Sequence, residues 1–119
     1  MRGRRATVHG WLMKFTKRDA IHNDVVRVFR DVGLSVYDAA HAGHDFPDLV
    51  VGWGGHTYLV ELKTGKAPLT DGQEAFARTW RGSPVKVLRS VDEAATWACR
   101  IRSAQAEGCK HRHQEGAHG

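Results

Sequence analysis

Asp48, Glu61 and Lys63 are the residues of this 119-residue chain whose types and spacing could do chemistry together. They share one stretch, Pro47 to Lys63, reading Pro-Asp-Leu-Val-Val-Gly-Trp-Gly-Gly-His-Thr-Tyr-Leu-Val-Glu-Leu-Lys. Two apolar, β-branched runs flank Gly54-Gly55, the pattern of a β-hairpin closed by a tight turn. With those glycines as the turn, Trp53 faces His56 and Asp48 faces Glu61, about 5 Å apart at Cβ. Alternation along the strand puts Lys63 on the same face as Glu61. A four-residue turn over Gly52 to Gly55 would set Asp48 opposite Leu59 instead, diagonal to Glu61 but on the same face. In either register two carboxylates repel unless a cation sits between them.

That arrangement suits phosphodiester hydrolysis. The reaction requires an attacking water, neutralised charge on the phosphoryl group and help for the leaving oxygen. Mg²⁺ or Mn²⁺ held by hard oxygen ligands supplies part of all three. Asp48 and Glu61 are the candidate ligands, with the Leu62 backbone carbonyl as a third. Lys63 would orient or activate the water and stabilise developing phosphoryl charge. Taken singly, Glu61 and Lys63 read as an exposed ion pair worth about 0–1 kcal/mol; Asp48 in register favours the metal site.

The elements that must hold this hairpin follow from periodicity. Ile21, Val25, Val28, Phe29 and Val32 make one apolar stripe, predicting a helix capped by Asp19 and ended by Gly33. Asp24 lies on the shoulder of that stripe, where an acid is either solvated or at the margin of the core. Leu34 to Ala40 reads as a short strand, and His41 to Phe46 as a loop. His41 and His44, beside Asp45, are either solvated, phosphate-contacting or additional ligands. Thr70-Asp-Gly-Gln73 matches a capping box and starts a second helix near Asp71, running through Phe76, Ala77 and Trp80 to Gly82. Val85 to Leu88 is a buried-type strand; Ser90-Val-Asp-Glu93 is another capping box and opens a third helix with Ala94, Trp97, Ala98 and Ile101 inward. The order is α-β-β-β-α-β-α, an α/β fold with a central mixed four-stranded sheet flanked by helices.

Composition narrows the partners. The length suits a single domain, and no apolar run approaches the ~20 residues of a membrane span. The formal net charge is +5 and the pI about 9.6, which favours a polyanion, nucleic acid ahead of membrane. Residues 1–18 hold Arg2, Arg4, Arg5, Lys14, Lys17 and Arg18 without an acidic residue, forming an arm that is either merely solvated or neutralises phosphates. No apolar segment of a signal peptide follows it, and two cysteines are too few for a disulfide framework. A cytoplasmic setting is expected, or a host cytoplasm if the protein is phage-encoded. Residues 103–119 lack an apolar period and are expected to be an unstructured tail. Its Cys109, His111 and His113 lack the second ligand pair of a structural zinc site.

Pro47-Asp48, twelve residues, then Glu61-Leu62-Lys63 resembles the PD-(D/E)XK nuclease superfamily. Within it the chain is similar to the virus-type replication-repair nucleases (VRR-NUC) and archaeal Holliday-junction resolvases, from about Asp19 to Ala95. The resemblance implies a restriction-endonuclease-like core over residues 19–102 and a Mg²⁺- or Mn²⁺-dependent DNA endonuclease. It further implies branched DNA such as Holliday junctions as substrate, a 5′-phosphate product, roles in repair and recombination, and homodimerisation. It implies Asp24 as an extra metal ligand, although the family usually has the longer Glu there. Gln73 would be a catalytic residue on the helix after the Lys strand, with the capping role as its alternative. Lys66, Arg4, Arg5, Lys17 and Arg18 are candidate DNA contacts. The rival readings are a nucleic-acid-binding module that does not cut and a protein-interaction domain on the same scaffold.

Overall fold

The apolar stripe from Ile21 to Val32 lies on helix α1 (Lys17–Asp31). The structure is a computed structural model that describes the backbone of residues 17–118 and the side chains of residues 20–104. Helix α1 begins ahead of Asp19, so Asp19 falls inside its first turn instead of capping it. Gly33 ends the helix at φ 93°. Its N–H donates to Arg30 O at 3.0 Å and that of Leu34 to Phe29 O at 2.9 Å, the paired bonds of a Schellman motif.

Three antiparallel strands follow, β1 (Ser35–Asp38), β2 (Leu49–Trp53) and β3 (His56–Leu62). Helix α2 (Asp71–Thr79) stops short of the expected Gly82, because Trp80 turns extended at φ −70°, ψ 128°; it leads to β4 (Lys86–Leu88), which pairs with β3 in parallel. Helix α3 (Val91–His118) closes the chain. The four strands form one mixed sheet in the order β1-β2-β3-β4, so the protein is α/β with helices on a mixed sheet. Trp53 pairs with His56, and Gly54 and Gly55 take φ of 60° and 81°. Both signs match the two-residue turn whose twist suits a hairpin, and side chains with a Cβ are strained there. The four-residue alternative does not occur.

One face of the sheet carries the core. Leu49, Val51, Val60, Leu62 and Leu88 pack against Val25 and Phe29 of α1 and Ala94, Trp97, Ala98 and Ile101 of α3. Phe29 and Trp97 meet with ring centroids 5.6 Å apart. Burying each such large apolar side chain contributes about 1.5–3 kcal/mol. The alternation that sends these residues inward sends Asp48, Leu59, Glu61 and Lys63 to the other face. In β1, Val36 packs against the core and Tyr37 is exposed.

Capping sets both later helices. Thr70 Oγ1 accepts the Gln73 N–H at 3.1 Å while Gln73 Oε1 accepts the Thr70 N–H at 2.9 Å. Ser90 Oγ accepts the Glu93 N–H at 3.0 Å, but Glu93 Oε1 accepts from Arg89, one residue before the cap, at 2.8 Å. The backbone of α3 stays helical to His118 through the stretch expected to be an unstructured tail. Ala, Gln, Glu and Lys between 104 and 110 are strong helix formers, and helix needs no apolar period to propagate. The arm residues Arg4 and Arg5, the side chains of Lys17 and Arg18, and those of Cys109, His111 and His113 lie outside the described residues.

Candidate metal and catalytic site

The hairpin register continued by one residue brings Asp48 opposite Glu61. Asp48 O accepts the Ala39 N–H at 2.8 Å, and Glu61 pairs with Val87. Ala39, Asp48, Glu61 and Val87 therefore form one row across all four strands. Asp48 is 4% exposed and Glu61 2%. Buried carboxylates this close are costly without compensating donors or cations. Asp48 Oδ2 accepts the Leu62 N–H at 2.8 Å. Glu61 Oε2 accepts from Gln73 Nε2 at 3.1 Å and lies 4.0 Å from Lys63 Nζ.

Lys63 comes to this face because it follows Glu61 by two along an extended segment. Its N–H donates to Leu88 O at 3.0 Å, which prolongs the parallel ladder past the end of β3. The side chain is only 12% exposed, so its ammonium sits in a partly dehydrated setting beside the Glu61 carboxylate. Coulomb attraction there exceeds that of a surface pair.

Gln73 is the capping residue and also bonds Glu61. Its Oε1 completes the capping box and its Nε2 holds Glu61. One amide has a donor end and an acceptor end, so the same rotamer serves both. The first turn of α2 is thereby tied to the carboxylate row. The loop before β2 is seated on that turn as well. His44 and Asp45 both adopt positive φ, 56° and 66°, and a Cβ on Gly72 would collide with the Asp45 carboxylate.

Asp24 does not join the row. Helix α1 packs on the core face, while Asp48 and Glu61 occupy the other. The Asp24 carboxylate is half exposed and pairs with Arg27 at 3.6 Å, one helical turn away. His41, His44 and Lys66 are exposed in their loops. Among the described residues no three His, Cys, Asp or Glu side chains converge as a metal-binding group. The donors present are two carboxylates with hard oxygens, and Mg²⁺ typically takes one or two carboxylates together with waters and substrate phosphates. The residues therefore fit such an ion, with Asp48 and Glu61 as the donors. Asp24→Asn is expected to change any metal-dependent activity by less than about threefold, as suits an exposed i,i+3 pair worth under ~0.5 kcal/mol. A loss of a hundredfold in a cleavage assay would place Asp24 in the site after all.

No family model matches the chain, and neither a curated protein nor a solved structure matches it. The functional reading accordingly rests on geometry and on the motif.

One partly buried polar pair was not read from the sequence. His22 is 8% exposed, and its Nε2 lies 2.9 Å from Asp38 Oδ2. Its signal was there, since His22 precedes Val25 and Phe29 at i−3 and i−7 along the buried stripe. Burial raises the Asp38 pKa, but the His22 hydrogen bond, the Ala40 N–H and the charges of His22 and His41 outweigh it and leave the carboxyl below 3.8. A group with a depressed folded pKa contributes stability that is present above its unfolded value and lost as pH falls through the folded one. Asp38→Asn should therefore cost about 1 kcal/mol or less at neutral pH, since Asp38 is half exposed. The gap to the wild type should close below pH 3.8. Urea midpoints of both proteins from pH 7 down to 2 would check this; a gap that widens on acidification contradicts it.

Proposed function

We propose that the chain is a divalent-metal-dependent nuclease that hydrolyses DNA phosphodiesters, with a PD-(D/E)XK core. The observation that carries this reading is the pairing of two buried carboxylates, Asp48 and Glu61, with the Lys63 ammonium 4.0 Å from Glu61. The mixed sheet and the element order support such a core, and the net charge of +5 suits a polyanionic substrate.

Asp48 and Glu61 would hold Mg²⁺ or Mn²⁺, with the Leu62 carbonyl as a third donor. When bound, the ion supplies Lewis-acid charge stabilisation and lowers the pKa of water. Lys63 contributes a cation to the phosphoryl oxygens as charge builds on them. Gln73 keeps the Glu61 carboxylate pointed into the row, so its geometry is set before substrate arrives. Branched DNA is the substrate class we favour, cut by a homodimer whose two sites address two strands.

The test is incubation of the purified full chain with four-way junction, flap, duplex and single-stranded DNA in Mg²⁺, Mn²⁺ or EDTA. Metal-dependent cutting that Glu61→Ala abolishes supports the assignment. Tight binding without cutting under either metal sinks it and leaves a nucleic-acid-binding module.

A further inference from the structure

Trp80 immediately follows α2 and is 42% exposed. Its N–H donates to Phe76 O at 3.0 Å, which closes the helix. The indole stacks on the Phe76 ring, with centroids 5.3 Å apart and planes 14° from parallel. Phe76 in turn meets Phe46 edge-on at 5.6 Å, and Phe46 directly precedes Pro47-Asp48. On the indole's edge, a Cβ at Gly82 would lie 2.7 Å from Trp80 Nε1, so only glycine leaves the ring where it is. The ring is thus held on two sides while much of it faces solvent. Ordering such a side chain at the moment of binding costs about 0.5–1.5 kcal/mol, and here it is ordered in advance.

What surrounds the ring decides what it suits. Arg78 and Arg81 are close to it in sequence, Arg81 exposed and Arg78 partly so, whereas the acids of α2, Asp71 and Glu74, sit in its first turn. An exposed aromatic ring with two solvent-accessible cations within two residues of it in the chain fits a polyanion with π-faces better than an apolar protein surface. The same helix carries Gln73, which holds Glu61. Trp80 is therefore tied to both halves of the carboxylate row, through Phe76 and Phe46 to Asp48 and through α2 to Glu61.

We propose that Trp80 is a stacking platform for an unpaired nucleobase, with Arg78 and Arg81 on the adjoining phosphates. This rests on the nuclease reading and deepens it, because it makes single-stranded segments of branched DNA the part of the substrate gripped beside the cut. In a duplex the bases already stack on one another, so the platform adds nothing there.

The test uses the full chain in EDTA, where no metal-dependent cleavage intervenes. A fluorescently labelled oligothymidylate and a duplex of equal length are titrated by anisotropy. Trp80→Leu should weaken binding of the single strand about tenfold, within the range for loss of one base–aromatic stack. Duplex binding should stay within about twofold, and Trp80→Phe should keep most of the single-strand affinity, since a π-face remains. Unchanged single-strand binding by Trp80→Leu, or equal loss on both DNAs, overturns the proposal. A readout on the wild type is independent of how the variants fold. 2-Aminopurine placed at successive positions of the strand should be quenched at one of them on binding, and no quenching at any position overturns the proposal. These outcomes do not depend on Glu61 or Lys63, so failure of the cleavage assay and failure of the platform are separable.

Discussion

Lys63→Ala is expected to lower single-turnover DNA cleavage by about 10²–10³-fold, the usual cost of removing one preorganised charge-stabilising donor. The Lys63 side chain is 12% exposed and its ammonium lies 4.0 Å from Glu61, so water replaces it poorly as charge develops on the phosphoryl group. The loss should fall on the rate and not on substrate affinity, because the interaction strengthens only in the transition state. Lys63→Met keeps the apolar stem and separates lost charge from lost packing. Removing the cation beside buried Glu61 costs roughly 1–3 kcal/mol of stability, so melting curves must accompany the kinetics. Folded Lys63→Met protein that cuts at the wild-type rate would remove Lys63 from the mechanism.

Glu61→Gln is expected to abolish metal-dependent stabilisation, and this holds whether or not any DNA is cut. A cation that binds only the folded protein at ten times its Kd adds about 1.4 kcal/mol. For a domain of this size that raises Tm by roughly 5–10 °C, and EDTA should reverse it. Glutamine keeps the shape and an oxygen to accept the Gln73 bond, but it removes the charge that would attract Mg²⁺ or Mn²⁺ to the proposed site. The metal-free variant escapes the Asp48–Glu61 repulsion, which offsets the lost pairing with Lys63. An equal rise in Tm for both proteins would mean that the ion binds elsewhere.

Gln73 shows how one side chain can cap a helix and hold a carboxylate of another element. The capping box pins its amide within the first turn of α2, and the leftover donor reaches Glu61. Removing it would disturb both bonds, which makes Gln73→Ala hard to interpret. Gln73→Glu keeps the capping acceptor and places a further negative charge on Glu61, so it tests the second bond more cleanly.

The sequence by itself determined what short-range rules govern. Gly54-Gly55 dictated a two-residue turn, and the register from that turn aligned Asp48 with Glu61 and put Lys63 on their face. Period and caps set α1, α2 and the start of α3, because buried stripes and Thr70–Gln73 contacts span only a few residues. The tertiary structure decided whatever depends on how distant elements meet. Asp24 sat on the margin of a stripe, and only the packing of α1 on the core face turned it toward Arg27. His22 looked like one more position of that helix until β1 brought Asp38 to it. The burial of the carboxylates, the Gln73–Glu61 bond and the Phe46–Phe76 contact likewise depend on residues far apart in the chain. Such contacts depend on how each helix is rotated and placed against the sheet, and that follows from the whole core filling its volume rather than from local pattern.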